Sequence, residues 1–173
     1  MDTPQLRFLL SPSGQELLAR MAETAITPHN HLQIAARLRQ ELDPAQAQAV
    51  VETAALRQKA AAKFSQAAAM YFTRAALEQA SAEPVARYRA GRFAQAGMNT
   101  LVDLGCGIGG DALARAQTAH VIGVDLDEVR LRLARENVRV YGGAGRFHPL
   151  LADIETLPPM PVDGVFFDPA RRD

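Results

Sequence analysis

Four carboxylates, Asp103, Asp125, Asp153 and Asp168, each follow or end a short apolar run in the second half of the chain, and the first of them precedes a turn crowded with Gly105, Gly107, Gly109 and Gly110. Glycine is required where the backbone takes positive φ or must come close to a ligand. The run LVDLGCGIGGD over 101–111 therefore reads as a strand, a glycine-rich turn and the start of a helix over ALARAQ. A helix that begins there points free N–H groups and the positive end of its dipole into the turn, which suits a small polar ligand end. Asp125 lies 22 positions beyond Asp103, at the tip of the next apolar run, where a carboxylate can accept both hydroxyls of a ribose.

These residues need elements to bring them together. Beyond Gly97 the chain alternates strand and helix patterns, the grammar of a parallel α/β sheet. The expected strands cover 100–104, 120–124, 146–150 and 164–167, with helices over 112–118 and 128–140. Leu131, Ala134 and Val138 face inward on the second helix, and Gly142-Gly143 ends it. In such a sheet ligands sit outside the carboxyl ends of the strands, so the glycine turn and all four acids gather at one edge. The expected strand order 3-2-1-4 makes only half of a doubly wound sheet and leaves the fourth strand as an apolar edge. The chain then reads as truncated at its C-terminal end.

Residues 1–97 read as helices, rich in Ala, Gln, Leu and Arg. Thr3-Pro4, Ser11-Pro12, Thr27-Pro28 and Asp43-Pro44 each pair a capping residue with proline at the first helical position, so each is expected to open a helix. Leu17, Leu18 and Met21 form one core stripe, and Leu32, Ala35, Leu38 and Leu42 another. A long helix is expected over 44–64, where Lys59 and Lys63 share a face that either contacts phosphate or simply solvates the helix. Ser81 is the expected cap of a helix over 84–93 that follows Val85, Tyr88 and Arg92 and ends at Gly97. The expected organisation is a helical domain over 1–97 and an incomplete nucleotide-binding domain over 98–173.

Composition sets outer bounds. Nearly half of the 173 residues are hydrophobic and 22% are charged, the range of globular proteins. No apolar run approaches the length of a membrane helix and the N-terminus lacks the pattern of a signal peptide, so a cytoplasmic protein with no membrane role is expected. The single Cys106 excludes an internal disulfide, and the four histidines are scattered, so no metal site is expected. The formal net charge is zero, but residues 1–98 carry 11 basic against 8 acidic side chains and the remainder the reverse. That tilt suits either an anionic partner or an ordinary solvated surface. Nothing in the sequence bears on oligomeric state.

Gly105, Gly107 and Gly110 also satisfy the G-x-G-x-x-G spacing of nicotinamide binders, so spacing alone leaves the nucleoside open. Asp103 beside the turn repels a pyrophosphate but suits an ammonium or a sulfonium, and S-adenosylmethionine carries both. With Asp103-Leu-Gly105-Cys-Gly107-Ile-Gly109, Val124-Asp125-Leu126, Ala152-Asp153-Ile154 and Asp168-Pro169 in that order, the sequence resembles the class I S-adenosylmethionine-dependent methyltransferases. The stretches AAAKF at 60–64, FTRAALEQAS at 72–81, VARYRAGRF at 85–93 and FDPARR at 167–172 are similar to a bacterial subgroup of these, in which the chain continues into a THUMP-like C-terminal domain. That resemblance suggests RNA as the substrate.

The resemblance implies that Gly105, Gly107 and Gly109 hold the methionine part, with Asp103 near its ammonium, and that Asp125 binds the ribose. It places Leu126 and Ile154 against the adenine, with Asp153 accepting from its amine. Gln79 and Ser81 are further candidates at the methionine end, with capping an equal alternative. Asp111 either assists the ligand or stabilises the helix start. After the fourth strand the chain reads Asp168-Pro169-Ala170-Arg171-Arg172, where amino methyltransferases of nucleic acids have a second proline and an aromatic. Asp168, Pro169 and Arg171 are then the candidates at the reacting group, with the base and atom unassigned. The alternatives are a non-catalytic RNA-binding scaffold with a degenerate nucleotide fold, and a nicotinamide-dependent oxidoreductase.

Overall fold

A computed structural model describes residues 1–168. Its element order is α1 (Thr3–Leu10), α2 (Pro12–Ala22), α3 (His31–Leu38), α4 (Pro44–Ala60), α5 (Arg74–Gln79), α6 (Glu83–Gln95), β1 (Thr100–Leu104), α7 (Ala112–Arg115), β2 (His120–Asp125), α8 (Glu128–Val140), β3 (Phe147–Leu151) and β4 (Gly164–Phe167). The four strands form one parallel sheet in the order β3-β2-β1-β4, as the sequence pattern predicts. Registers such as Leu104↔Val124 and Leu104↔Phe167 align the strand ends, so Asp125 and Asp168 follow the glycine turn at the same edge.

Helix starts are decided by which oxygen reaches the free amides. Ser11 and Asp43 cap α2 and α4 as expected, accepting from Gly14 N–H and from Ala45 and Gln46 N–H. Two expected starts shift. Asp2, not Thr3, caps α1, because its carboxylate and Gln5 form a reciprocal capping box that a threonine one position later cannot make. Thr27-Pro28 forms a turn rather than a helix start; Thr27 N–H donates to Asn30 Oδ1, and α3 begins at His31. The core stripe of α3 shifts with it. Leu32 is 77% exposed, whereas Ala35 and Leu38 are buried and Ile34 packs against the core.

α4 is the axis of the helical part, with α1, α2 and α3 all packed against it. It buries Ala47, Ala49, Val50, Val51, Thr53, Ala54, Leu56 and Ala60, which wrap its circumference; small side chains let the neighbouring helices approach. The helix stops at Ala60, short of the expected 64, and the following turn buries Phe64. Met70, Tyr71 and Phe72 are also buried and continue into one core with Ile108, Leu133 and Val138 of the sheet region. Among the described residues no helix is long and apolar enough to cross a membrane.

α6 starts at Glu83 with Ala82 as its cap residue, so Ser81 does not cap it. The Glu83 N–H instead donates to Lys63 O at 2.9 Å. Glu83 itself is a buried junction: its carboxylate accepts from Ser65 N–H at 2.7 Å, Tyr141 Oη at 2.8 Å and Arg87 Nε at 2.8 Å. Burial opposes its charge, but these donors outweigh burial and draw the carboxyl down to about 2. A depressed carboxyl contributes stability that is present above its ordinary pKa and lost as pH falls toward the folded value. Glu83→Gln is therefore expected to lower stability at pH 7 by about 1–2 kcal/mol and to flatten the decline between about pH 4.5 and 2. Urea unfolding across that range checks both, and an unchanged acid limb contradicts the role given to Glu83.

Candidate cofactor and methyl-transfer site

The glycine turn has the backbone its sequence calls for. Gly105, Gly107 and Gly109 have φ of +72°, +56° and +78°, the left-handed region that side chains disfavour. Their surroundings divide the work. A Cβ on Gly105 or Gly107 would meet no atom within 4 Å, so these two face open space, whereas a Cβ on Gly109 would come within 3.1 Å of Ala134 Cα. Gly109 thus lets α8 approach the turn, and Gly105 and Gly107 leave room for a ligand. The helix that follows is only α7, shorter than the expected 112–118.

That room is a cleft of about 580 Å³, within the range of small-molecule sites. One wall is Glu78, Gln79, Ala80 and Ser81; the opposite wall is Asp103 with Gly105 to Ile108, and Asp111, Phe166 and Asp168 close it. Lys63 shapes the first wall. Its Nζ donates to the carbonyls of Leu77, Glu78 and Ala80 at 2.8, 3.2 and 2.9 Å, which satisfies the end of α5, while Lys59 pairs with Glu78 at 3.3 Å. The two lysines therefore order the cleft wall rather than standing free as a phosphate-binding face.

Asn137 fastens the turn from beneath. Fully buried in α8, it accepts from Tyr71 N–H at 2.7 Å and donates to Tyr71 O and Ile108 O, both at 2.9 Å. One amide thus joins the helical part, α8 and the centre of the glycine turn.

Five charged side chains cluster at this edge of the cleft, and the three acids among them, Asp103, Asp111 and Asp168, line it. Arg115, with no exposed side-chain surface, donates to Asp103 Oδ2 at 2.8 Å and lies 3.3 Å from Asp111. Arg89 Nη1 reaches Ser81 Oγ at 3.0 Å, Asp111 at 3.1 Å and Asp168 at 2.9 Å. Both guanidiniums lie over the Phe166 ring, Arg115 at 3.6 Å and Arg89 at 5.4 Å. Burial pushes the Asp103 carboxyl up to about 6; Arg115 opposes this, and Asp111 and Asp168 add to it. Burial also pushes the Cys106 thiol above its ordinary range, so it stays protonated as a small filling group. For Arg89, burial works against the charge, but Asp111 and Asp168 prevail and raise its pKa.

The expected residues do not all meet. Gln79, Ser81, Asp103, Gly105, Gly107 and Asp168 line the cleft. Asp125 adjoins it, holding Gly107 N–H on Oδ2 and Asp127 N–H on Oδ1, both at 3.0 Å, with further lone pairs for a ribose. Leu126 is 68% exposed, Ile154 is half-buried, and Asp153 accepts from Glu155 N–H; these three lie outside the cleft wall. Pro169 and Arg171 lie outside the described residues. Arg89, Arg115, Asn137 and Phe166 join the site without being expected from the sequence pattern. Only two carried a signal: Arg115 stands four residues after Asp111, and Asn137 is polar beside the apolar stripe of α8. His120 and His148, distant in sequence, stack through the β2–β3 pairing with ring nitrogens 3.4 Å apart. Among the described residues no group of three or more metal-ligating side chains forms.

The donor set fits S-adenosylmethionine: a positive-φ cradle open to space, a buried carboxylate at Asp103 for a cation, and Asp125 at the next strand tip. Comparison with known proteins agrees. Residues 101–168 match the family described as a methyltransferase domain, and residues 2–60 match a domain of unknown function, DUF8688. An uncharacterized S-adenosylmethionine-dependent methyltransferase of Mycobacterium tuberculosis, found in strains CDC 1551 and H37Rv, is 37% identical over 131 residues, 71% of this chain and 35% of that protein. The chain thus spans about a third of the length of these curated relatives. The crystal structure of a candidate methyltransferase from Porphyromonas gingivalis W83 superposes with a TM-score of 0.57 at 24% identity, over 79% of this chain and 35% of that one, which supports the fold.

Replacing Asn137 by Leu would strand the Tyr71 N–H and two carbonyls in the core, so a loss of about 2–4 kcal/mol is expected. Denaturant unfolding checks it; a variant within about 0.5 kcal/mol of wild type would remove Asn137 from the account.

Proposed function

We propose that this chain, whose residues 101–168 match a methyltransferase domain family, is a class I S-adenosylmethionine-dependent methyltransferase that holds the cofactor in the glycine-lined cleft and takes part in methyl transfer to RNA. S-adenosylmethionine is the cofactor. The observation that carries this reading is the pair Gly105 and Gly107, left-handed and facing open space directly beside the buried carboxylate of Asp103. Residues of the sheet region between Asp103 and Asp168 supply the cofactor side, and the helical residues 1–97 contribute the wall at Gln79 and Ser81.

When bound, S-adenosylmethionine supplies an electrophilic methyl group on a sulfonium. The residues then have positional work. Asp103 meets the ammonium, Asp125 holds the ribose, and Leu126, Asp153 and Ile154, which follow β2 and β3, are assigned to the adenine. Asp168, Pro169 and Arg171 are assigned to the methyl-accepting side, where Arg89 already fixes the Asp168 carboxylate. Displacement at a methyl carbon needs an in-line lone pair and exclusion of water more than acid–base help. The carboxylate of Asp168 can accept a hydrogen bond from the attacking group and steer its lone pair.

RNA as substrate is supported by the outer face of α6. Tyr88 is 70% exposed and Val85 44% exposed, one turn apart, with Arg92 exposed further along the same face. The sequence pattern alone does not reveal that this stripe faces solvent. An aromatic for base stacking beside a guanidinium for phosphate is the equipment of single-strand recognition. The helix that presents it also carries Arg89 to Asp168. By the resemblance to the bacterial subgroup, a THUMP-like part in a longer protein would add to the same contact.

Calorimetric titration with S-adenosylmethionine should give binding that Asp125→Ala weakens at least about tenfold, and tritium from its methyl group should pass to total bacterial RNA, less so with Tyr88→Ala. Absence of binding to wild type would overturn the cofactor assignment. Binding with transfer to protein or small molecules instead would overturn RNA alone.

A further inference from the structure

The five charged groups at this edge of the cleft do not cancel. Among the described residues, Asp103, Asp111 and Asp168 face only Arg89 and Arg115, which leaves one negative charge of that set without a partner. The remaining described neighbours do not supply it: Cys106 stays protonated, Asp125 is itself an acid bonded to backbone amides, and Glu78 is paired with Lys59. Arg130, which also lines the cleft, is within 3.6 Å of Asp127. The opening for a cation lies at Asp103. Its Oδ2 is taken by Arg115, its Oδ1 accepts no hydrogen bond from the described residues, and the residue lines the cleft.

We propose that Arg115 is a positioning residue for the cofactor: it fixes the Asp103 carboxylate in its ionised form with one oxygen left toward the cleft, so that the cluster selects a ligand with one net positive charge. This rests on the assignment of S-adenosylmethionine, whose ammonium and sulfonium against one carboxylate give that net charge. Arg115 is suited to the task by its confinement. Its guanidinium is pressed over Phe166 at 3.6 Å and over Phe93 at 5.7 Å, and is fully buried, so it has no alternative rotamer in solvent. A buried carboxylate without such a partner takes up a proton, and a neutral carboxyl offers an ammonium little.

The test separates the charge of the ligand from its shape. 5′-Deoxy-5′-methylthioadenosine keeps the adenosine and a thioether but has neither ammonium nor carboxylate. Both ligands are titrated against the full chain between pH 7 and pH 5. A carboxyl half-ionised at about 6 is protonated roughly ten to one at pH 5. Wild type should therefore lose about tenfold in affinity for S-adenosylmethionine over that interval, and less than about twofold for the thioether. Arg115→Met should cost about tenfold or more at pH 7 for S-adenosylmethionine alone, with the pH dependence moved upward, and Arg115→Lys should restore part of it. Equal losses for both ligands, or a pH profile unmoved by Arg115→Met, would overturn the role of Arg115. If Arg115→Met does not fold, Arg115→Lys decides: an affinity for S-adenosylmethionine and a pH profile both equal to wild type would overturn the role of Arg115. Wild type that binds neither ligand would instead sink the cofactor assignment on which the inference stands.

Discussion

Asn137 makes three hydrogen bonds from a site without solvent, two to the backbone of Tyr71 and one to Ile108 O in the glycine turn. A buried amide left half-satisfied costs far more than it returns when complete. The three segments that meet there are therefore held in one arrangement. The chain around Tyr71 leads to α5 and the wall at Gln79 and Ser81, and the turn carries Gly105 and Gly107. The width of the cleft follows from this contact, because both of its walls are referred to the same side chain of α8.

The charged edge of the cleft is built on the opposite principle: Arg115 and Asp103 are taken out of water, Arg89 and Asp168 stay partly exposed, and the described charges are only partly matched. Arg115 and Asp103 are among the most buried ionisable groups of the described chain, and such pairs seldom add net stability. Their retention at the cofactor edge of the sheet has a functional sense. A preorganised charge held in a buried ion pair interacts more strongly with a charged ligand than the same group would free in water. Phe166 beneath both guanidiniums supplies a π face and blocks solvent from the side.

Much of the sheet was legible because its signals are local. Strand order, the positive φ at Gly105, Gly107 and Gly109, and the ends of α6 and α8 at Gly97 and Gly142 follow from residues that have few other uses. The helical part was legible in kind but less so in detail, since capping is decided by competition among neighbours: Asp2 outdoes Thr3, and Lys63 O serves the Glu83 amide in place of Ser81. In the sequence the site shows itself as acids and glycines. The arginines that hold those acids escaped because arginine on a helix is ordinarily a solvated residue, and only tertiary packing turns Arg89 and Arg115 inward. The stacked His120 and His148 escaped for the same reason, being neighbours only through strand pairing.

The central claim is that the cofactor lies between the α5–α6 wall and the glycine turn. A crystal structure of the chain with S-adenosylhomocysteine tests it most directly. The amino-acid end of the ligand is expected against Gly105 and Gly107 with its ammonium at Asp103, and the ribose hydroxyls on Asp125. Density for the ligand at any other surface, or an ammonium directed away from Asp103, would contradict it.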